Sequence, residues 1–197
     1  MEIDPRSLDK QDAYLMLTAC VIPRPICWIS TVDVAGVRNL APFSFFGGVT
    51  TDPMTVMVSV GRKRGGRKDT AANLLATGEG VVHITPRRLA AAMVTSSANV
   101  TPEVDEFELA GLEALPATHV AAPRIGGAPI AMEVRTERHL EVGNGPVDLF
   151  LLEIVHLHLD PALLVDGRPD PAKVAAVGRL GGAGYCDTSA PFEIERP

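Results

Sequence analysis

Most of the signatures that would place this chain quickly are missing from it. No uninterrupted apolar run in its 197 residues reaches the roughly 18 that a membrane-spanning helix needs. The start, Met1-Glu2-Ile3-Asp4-Pro5-Arg6, has neither a basic stretch nor the apolar stretch of a secretory leader. A soluble, cytoplasmic protein with no membrane partner is expected. Only three cysteines occur, Cys20, Cys27 and Cys186, far apart and without a CxxC pair, so a disulfide framework or zinc ribbon is excluded and buried, reduced thiols are expected. There is no GxSxG, and nothing marks Ser44, Ser59 and the histidines as a hydrolytic triad. Two nucleotide fingerprints are also absent. Gly66-Arg67-Lys68-Asp69-Thr70 breaks the contiguous Gly-Lys-Ser/Thr of a P-loop, and Gly181-Gly182-Ala183-Gly184 lacks the spacing of a dinucleotide loop. With a net charge of −6 and a pI near 5.3, the chain has no broad basic face for nucleic acid.

What is present is concentrated between Arg24 and Thr70. Cys27-Trp28-Ile29-Ser30-Thr31 and Thr55 to Val60 are short β-branched runs bounded by Pro, Gly and Asp, the pattern of strands, and they are expected to be neighbours in one sheet. After the second, Gly61 to Thr70 holds five of the chain's eighteen Lys and Arg against one acid, a formal +4. A Gly-rich basic loop leading into a helix supplies what a phosphate site needs: backbone N–H groups, a helix N-terminus and cationic side chains. On charge alone it also reads as a solvated basic loop. Aromatic residues make up only 5% of the chain, yet three of its six Phe fall at 43, 45 and 46, within Asn39-Leu40-Ala41-Pro42-Phe43-Ser44-Phe45-Phe46. That segment suits a flat ligand with polar edges, or a plain core.

Elsewhere the spacing predicts helices over Ser7–Thr18, Asp69–Ala76 (capped by Asp69 or Thr70, with Gly78 past the end), Arg87–Thr95, near Thr101–Ala110 and over Pro171–Val177. Hairpins are predicted over Trp28–Leu40 and over Ile130–Asp160, turning at Gly143-Asn144-Gly145-Pro146. Strands recur between turns without βαβ alternation, so the expected fold is mainly β, an antiparallel barrel with a few short helices in a single domain over 1–197. His156 and His158 leave one face of a strand and suit a metal, but Glu153 lies on the opposite face. Without a third ligand they read as a sheet-face or subunit contact, and no metal is expected.

Taken together, VIPRPICWIST, a Gly turn, NLAPFSFF, a Asp-Pro turn, a strand ending Ser-Val-Gly-Arg and then Lys-Asp-Thr resemble the flavin reductase-like family of FMN-binding split-barrel proteins. The resemblance covers Leu17 to Ile84 motif by motif and the rest more loosely, through Arg179 to Tyr185. Gly47 and Met54 stand where the family often has Asn and a second Pro. The resemblance implies a split β-barrel that binds FMN, dimerises with a second copy, and accepts hydride from NAD(P)H for a small-molecule electron acceptor. It places Ser30, Thr31, Asn39, Ala41, Pro42, Phe43, Ser44 and Phe45 along the flavin ring and ribityl chain. Around the phosphate it places Ser59, Gly61, Arg62, Lys68, Asp69 and Thr70, with Asp69 capping the helix, and over the ring Tyr185, where the second substrate enters. No protein nucleophile is then required, because the cofactor carries the chemistry. A non-catalytic flavin- or haem-binding barrel, or a flavoenzyme for a specific organic substrate, remain alternatives.

Overall fold

The computed structural model describes residues 1–63 and 66–195; Arg64 and Gly65 of the basic loop and the terminal Arg196 and Pro197 lie outside the described residues. Seven antiparallel strands make the main sheet: β1 (Cys27–Val32), β2 (Arg38–Phe43), β3 (Phe46–Thr51), β4 (Met54–Val60), β5 (Glu79–Ile84), β6 (Ile130–Val142) and β7 (Val147–Leu159). Their order across the sheet is β2-β1-β5-β6-β7-β4-β3. The two edge strands, β2 and β3, are joined by Ser44 and Phe45 alone. Since each residue spans at most about 3.6 Å, that link holds the two edges within roughly 11 Å of each other. The sheet therefore has to curl on itself, with a seam at Ser44-Phe45; Ser59 N–H donates to the Phe45 carbonyl at 2.9 Å, carrying the β3–β4 ladder up to that seam.

This topology corrects one expectation. β1 and β4 share the sheet but are not neighbours, because β5, β6 and β7 lie between them. They meet through the interior instead: Cys27 and Ile29 pack with Val56, Val58 and Val60, joined by Phe43, Val82, Val134, Phe150 and Leu152. All six residues of β1 are buried because both its faces are covered. Its other face puts Trp28 against Leu40, Met93, Phe107 and Ile125. Phe46, the last residue of the aromatic stretch, opens a strand (Phe46–Thr51) whose second half is exposed, as an edge strand's can be.

Four helices matter for the site: α1 (Lys10–Cys20), α2 (Asp69–Thr77), α3 (Ala90–Thr95) and α4 (Glu106–Leu109). α1 starts later than its sequence suggests, because Asp9 and not Ser7 caps it, accepting from Asp12 N–H at 2.8 Å. α2 buries Ala71 and Leu74 in the interior and ends at Gly78, whose φ of 73° is the left-handed conformation a C-cap needs. Its N-cap position is Lys68, with no side-chain cap bond; Asp69 is the first helical residue and the Thr70 hydroxyl is used elsewhere. No helix forms at Thr101-Pro102-Glu103; α4 begins at the Asp105 cap. Cys27 is buried, and burial raises its thiol pKa well above the usual range, but Cys20 is exposed, against expectation. No helix among the described residues is long and apolar enough to cross a membrane.

Candidate functional site

The seam opens into a cleft of about 710 Å3 bordered by α1, the Pro42–Phe45 segment, the end of β4 and the basic loop. Pro42 and Phe43 also border two smaller recesses of about 80 and 200 Å3, one running towards Asn39 and Thr70, the other towards Tyr185. Of the residues expected at a cofactor site, Ala41, Pro42, Phe43, Ser44, Phe45, Ser59, Gly61, Arg62, Lys68, Asn39, Asp69 and Thr70 line this connected space, as does Tyr185. Ser30 and Thr31 do not. The Ser30 hydroxyl is fully buried on the outer face of β1 and donates to the Pro123 carbonyl at 2.5 Å. Thr31 is fully buried as well, and its hydroxyl accepts from Asn73 at 3.0 Å. Alternation along β1 sends successive side chains to opposite faces, so one register could not have put both in the same cleft.

Asn39 and Thr70 reach the cleft wall with their polar atoms already engaged. The Asn39 amide donates to Glu106 at 3.0 Å and accepts from the Thr70 hydroxyl at 2.8 Å. The same Glu106 carboxylate accepts Leu40 N–H at 2.9 Å. Burial raises the Glu106 pKa, opposed by these donors. The network fastens the N-terminus of α2 to β2, which fixes where Lys68 stands. Glu106 and Asn73 carry no sequence signal for this role, because their partners are distant in the chain.

Two of the loop's five cations are neutralised within the fold. Arg62 makes a paired contact with Asp148, both N···O distances 2.9 Å, and a third to Glu141 at 2.7 Å. Arg67 also bonds Asp148, at 3.0 Å, and Glu141. His139 completes the shell of Asp148 at 2.9 Å. Arg62 first, then His139 and Arg67, hold the buried Asp148 carboxyl well below the usual carboxylate range against the cost of burial. Arg62 borders the cleft, but its guanidinium is committed to the β6–β7 hairpin, which revises its expected place at a phosphate. Lys63 lies 3.6 Å from Asp69. Asp69 is thus paired with a loop cation and does not cap α2.

Lys68 is different. Its ammonium has no carboxylate or hydrogen-bond partner among the described residues and lies 5.3 Å from the Phe43 ring centroid. Burial, and then the charge of Lys63, lower its pKa. A half-buried cation at a helix N-terminus, over an aromatic wall, has the chemistry to receive an anion.

Two arginines outside the expected set shape the rim. Arg24 is buried and donates to the carbonyls of Thr18, Val21 (2.8 Å) and Leu180 (3.0 Å), with the Ser44 hydroxyl at 3.4 Å. It thereby ties the C-terminal end of α1, where carbonyls favour a cation, to the seam. Arg179 stacks on Tyr185 at 4.5 Å. The Arg-Leu-Gly-Gly run was the only hint of this pair. The wall opposite comes from Ser96 to Val100, positioned by Trp28 Nε1–H donating to Ser96 at 2.9 Å.

Comparison with known proteins places the whole chain in a family. A protein of Halalkalibacterium halodurans is 35% identical over 202 residues, covering 100% of this chain and 97% of its own length. Nitrilotriacetate monooxygenase component B of Bacillus cereus superposes with a TM-score of 0.94 at 35% identity, covering 98% of each chain. The 2-nitrobenzoate 2-nitroreductase NbaA of Pseudomonas fluorescens gives 0.91 at 28% identity, covering 100% of this chain and 96% of that one. The flavin reductase like domain matches residues 18–170, and the chain belongs to that family, a mainly β split barrel.

Proposed function

We propose that the chain, as one domain over 1–197, is an FMN-binding oxidoreductase that takes hydride from NAD(P)H and delivers electrons to a small-molecule acceptor. The observation that carries the reading is Lys68, a half-buried cation with no carboxylate or hydrogen-bond partner among the described residues, on a cleft whose 710 Å3 is within the range of small-ligand sites. Its anionic partner would be the FMN phosphate, with Gly61 and Ser59 beside it. Bound flavin would supply the electron chemistry, accepting a hydride and passing electrons on.

The protein's own contribution is binding, orientation and exclusion of water. Pro42, Phe43 and Phe45 offer an apolar wall for a planar ring, Ser44 a hydroxyl whose orientation is set by Arg24. Tyr185, backed by Arg179, stands at the recess through which a nicotinamide would reach the ring. A homodimer fits the exposed Phe192 and Ile194 of the tail, 83% and 80% accessible.

The decisive experiment has two parts. FMN should bind much more tightly than riboflavin, and anaerobic mixing of FMN-loaded protein with NADH or NADPH should bleach the flavin faster than free FMN is bleached. Equal affinity for FMN and riboflavin would remove the phosphate reading. No bleaching by either nicotinamide would remove the reductase reading.

A further inference from the structure

On the outer face of the β6–β7 hairpin, away from the end of β7 that borders the cleft, three metal-ligating side chains converge. The register shifts between Ile154 and His156: Ile154 pairs with Val134 and His156 with Glu133, leaving Val155 unpaired. This bulge sets Glu133 directly across from His156, with His158 on the same face two residues on. Ligand atoms of Glu133, His156 and His158 all lie within 4.8 Å of one another. The third ligand that the sequence did not offer from Glu153 comes from the neighbouring strand.

The carboxylate is prepared for a ligand's role. Glu133 is fully buried, and its two oxygens accept the backbone N–H of Thr118 at 2.7 Å and of His119 at 2.5 Å. Such outer bonds fix the orientation of metal-binding carboxylates. His158 Nε2 lies 2.6 Å from Glu133 Oε1. The His156 ring makes no hydrogen bond among the described residues; it packs edge-on between His158 at 4.7 Å and His119 at 4.9 Å, centroid to centroid. An imidazole without a partner, beside a buried carboxylate and a second imidazole, is a donor set matched to a borderline divalent cation.

We propose that Glu133, His156 and His158 bind one divalent first-row transition-metal ion of the zinc class, with solvent completing its coordination. Ligands about 2.0–2.1 Å from a tetrahedral ion lie about 3.3 Å apart, so the ion replaces the proton between His158 and Glu133 and parts them by less than about 1 Å. None of the three residues lines the cleft, so the ion's role is mechanical. It clamps the 116–123 segment, through Thr118 and His119, onto the bulge.

The test uses the full chain without an affinity tag, stripped with a chelator and dialysed. Titration with Zn2+ by calorimetry should give one ion per chain, with a dissociation constant below about 10 µM. Zn2+ should also raise the melting temperature, and Co2+ should give the intense visible bands of a four- or five-coordinate site. His156→Ala retains the Glu133–His158 bond and so keeps the fold; it should weaken Zn2+ at least tenfold, and His156→Ala combined with His158→Gln should abolish it. Wild-type protein that binds no ion at these concentrations, or a double variant that binds as tightly as wild type, overturns the proposal.

Discussion

Lys68 holds its ammonium nitrogen over the ring of Phe43, 5.3 Å from the centroid, where both line the cleft. The aromatic face holds the cation where a ligand's anionic end and its flat apolar body can be engaged together. Loss of one charge-assisted hydrogen bond costs about 1.5–3 kcal/mol, so Lys68→Ala should weaken FMN about 10- to 150-fold in a fluorescence titration. Lys63→Ala should matter far less, because Lys63 already lies 3.6 Å from Asp69. Equal losses at both positions would indicate general attraction and no formed site.

Asp148 predicts a different outcome, in stability. Removing this buried carboxylate leaves Arg62, Arg67 and His139 without their common partner. Asp148→Ala should cost about 3 kcal/mol in urea unfolding, the low end for a broken buried pair since both arginines are partly exposed. Arg62→Ala should cost less, because Asp148 keeps Arg67 and His139. A smaller loss for Asp148→Ala than for Arg62→Ala would show that the carboxylate is not the centre of the cluster.

His83 makes stability depend on pH. It is fully buried, with Nδ1 at 3.0 Å from the Trp28 carbonyl and Nε2 accepting Ile125 N–H at 3.0 Å, so the ring is neutral and its Nδ1 carries the proton. Burial first, opposed by the Trp28 bond, lowers its pKa to about 4. Between that value and the ordinary 6.5 the unfolded chain binds the extra proton, so stability is full above about pH 6.5 and falls towards pH 4. The loss is on the order of 3 kcal/mol. Unfolding free energies at pH 7.5 and 5 should differ by about 2 kcal/mol from this group, and His83→Asn should flatten that difference.

Tyr185→Ala should slow flavin reduction by NAD(P)H more than it weakens FMN. Tyr185 borders only the side recess, stacked on Arg179, and not the main cleft beside Lys68. Stopped-flow reduction and a parallel FMN titration separate the two effects; an equal drop in both would move Tyr185 into the cofactor site.

The strands were readable where β-branched runs met turns, as at Cys27–Val32 and Met54–Val60. Their partners were not, because order in a sheet depends on contacts distant in sequence: nothing local in β1 says that β5 and not β4 lies beside it. The cleft-lining residues were found by motif, whereas Ser30 and Thr31 were misplaced because the motif does not say which face of a central strand opens to the cleft. The basic loop shows the same limit for charge. Its +4 was correct by composition, yet the carboxylates that oppose it, Glu141 and Asp148, are about eighty residues away along the chain. Likewise nothing in the local alternation of Ile130–Val142 shows that Glu133 is fully buried, because the 116–123 segment that covers it is separate in sequence.

That internal neutralisation has a kinetic consequence. Among the described residues near the loop, the four cations Arg62, Lys63, Arg67 and Lys68 stand against the three carboxylates Asp69, Glu141 and Asp148. Seen from beyond a Debye length, about 8 Å at physiological ionic strength, and with Arg64 counted from the sequence, five cations against three carboxylates leave the loop about +2 where its composition alone gave +4, on a protein that is acidic as a whole. An anion is therefore drawn in from a distance only weakly, and added salt should slow its association less than an unopposed +4 loop would. The Lys68 charge is felt most strongly once the ligand has entered the cleft, so selection for an anionic end acts mainly on how long a ligand stays.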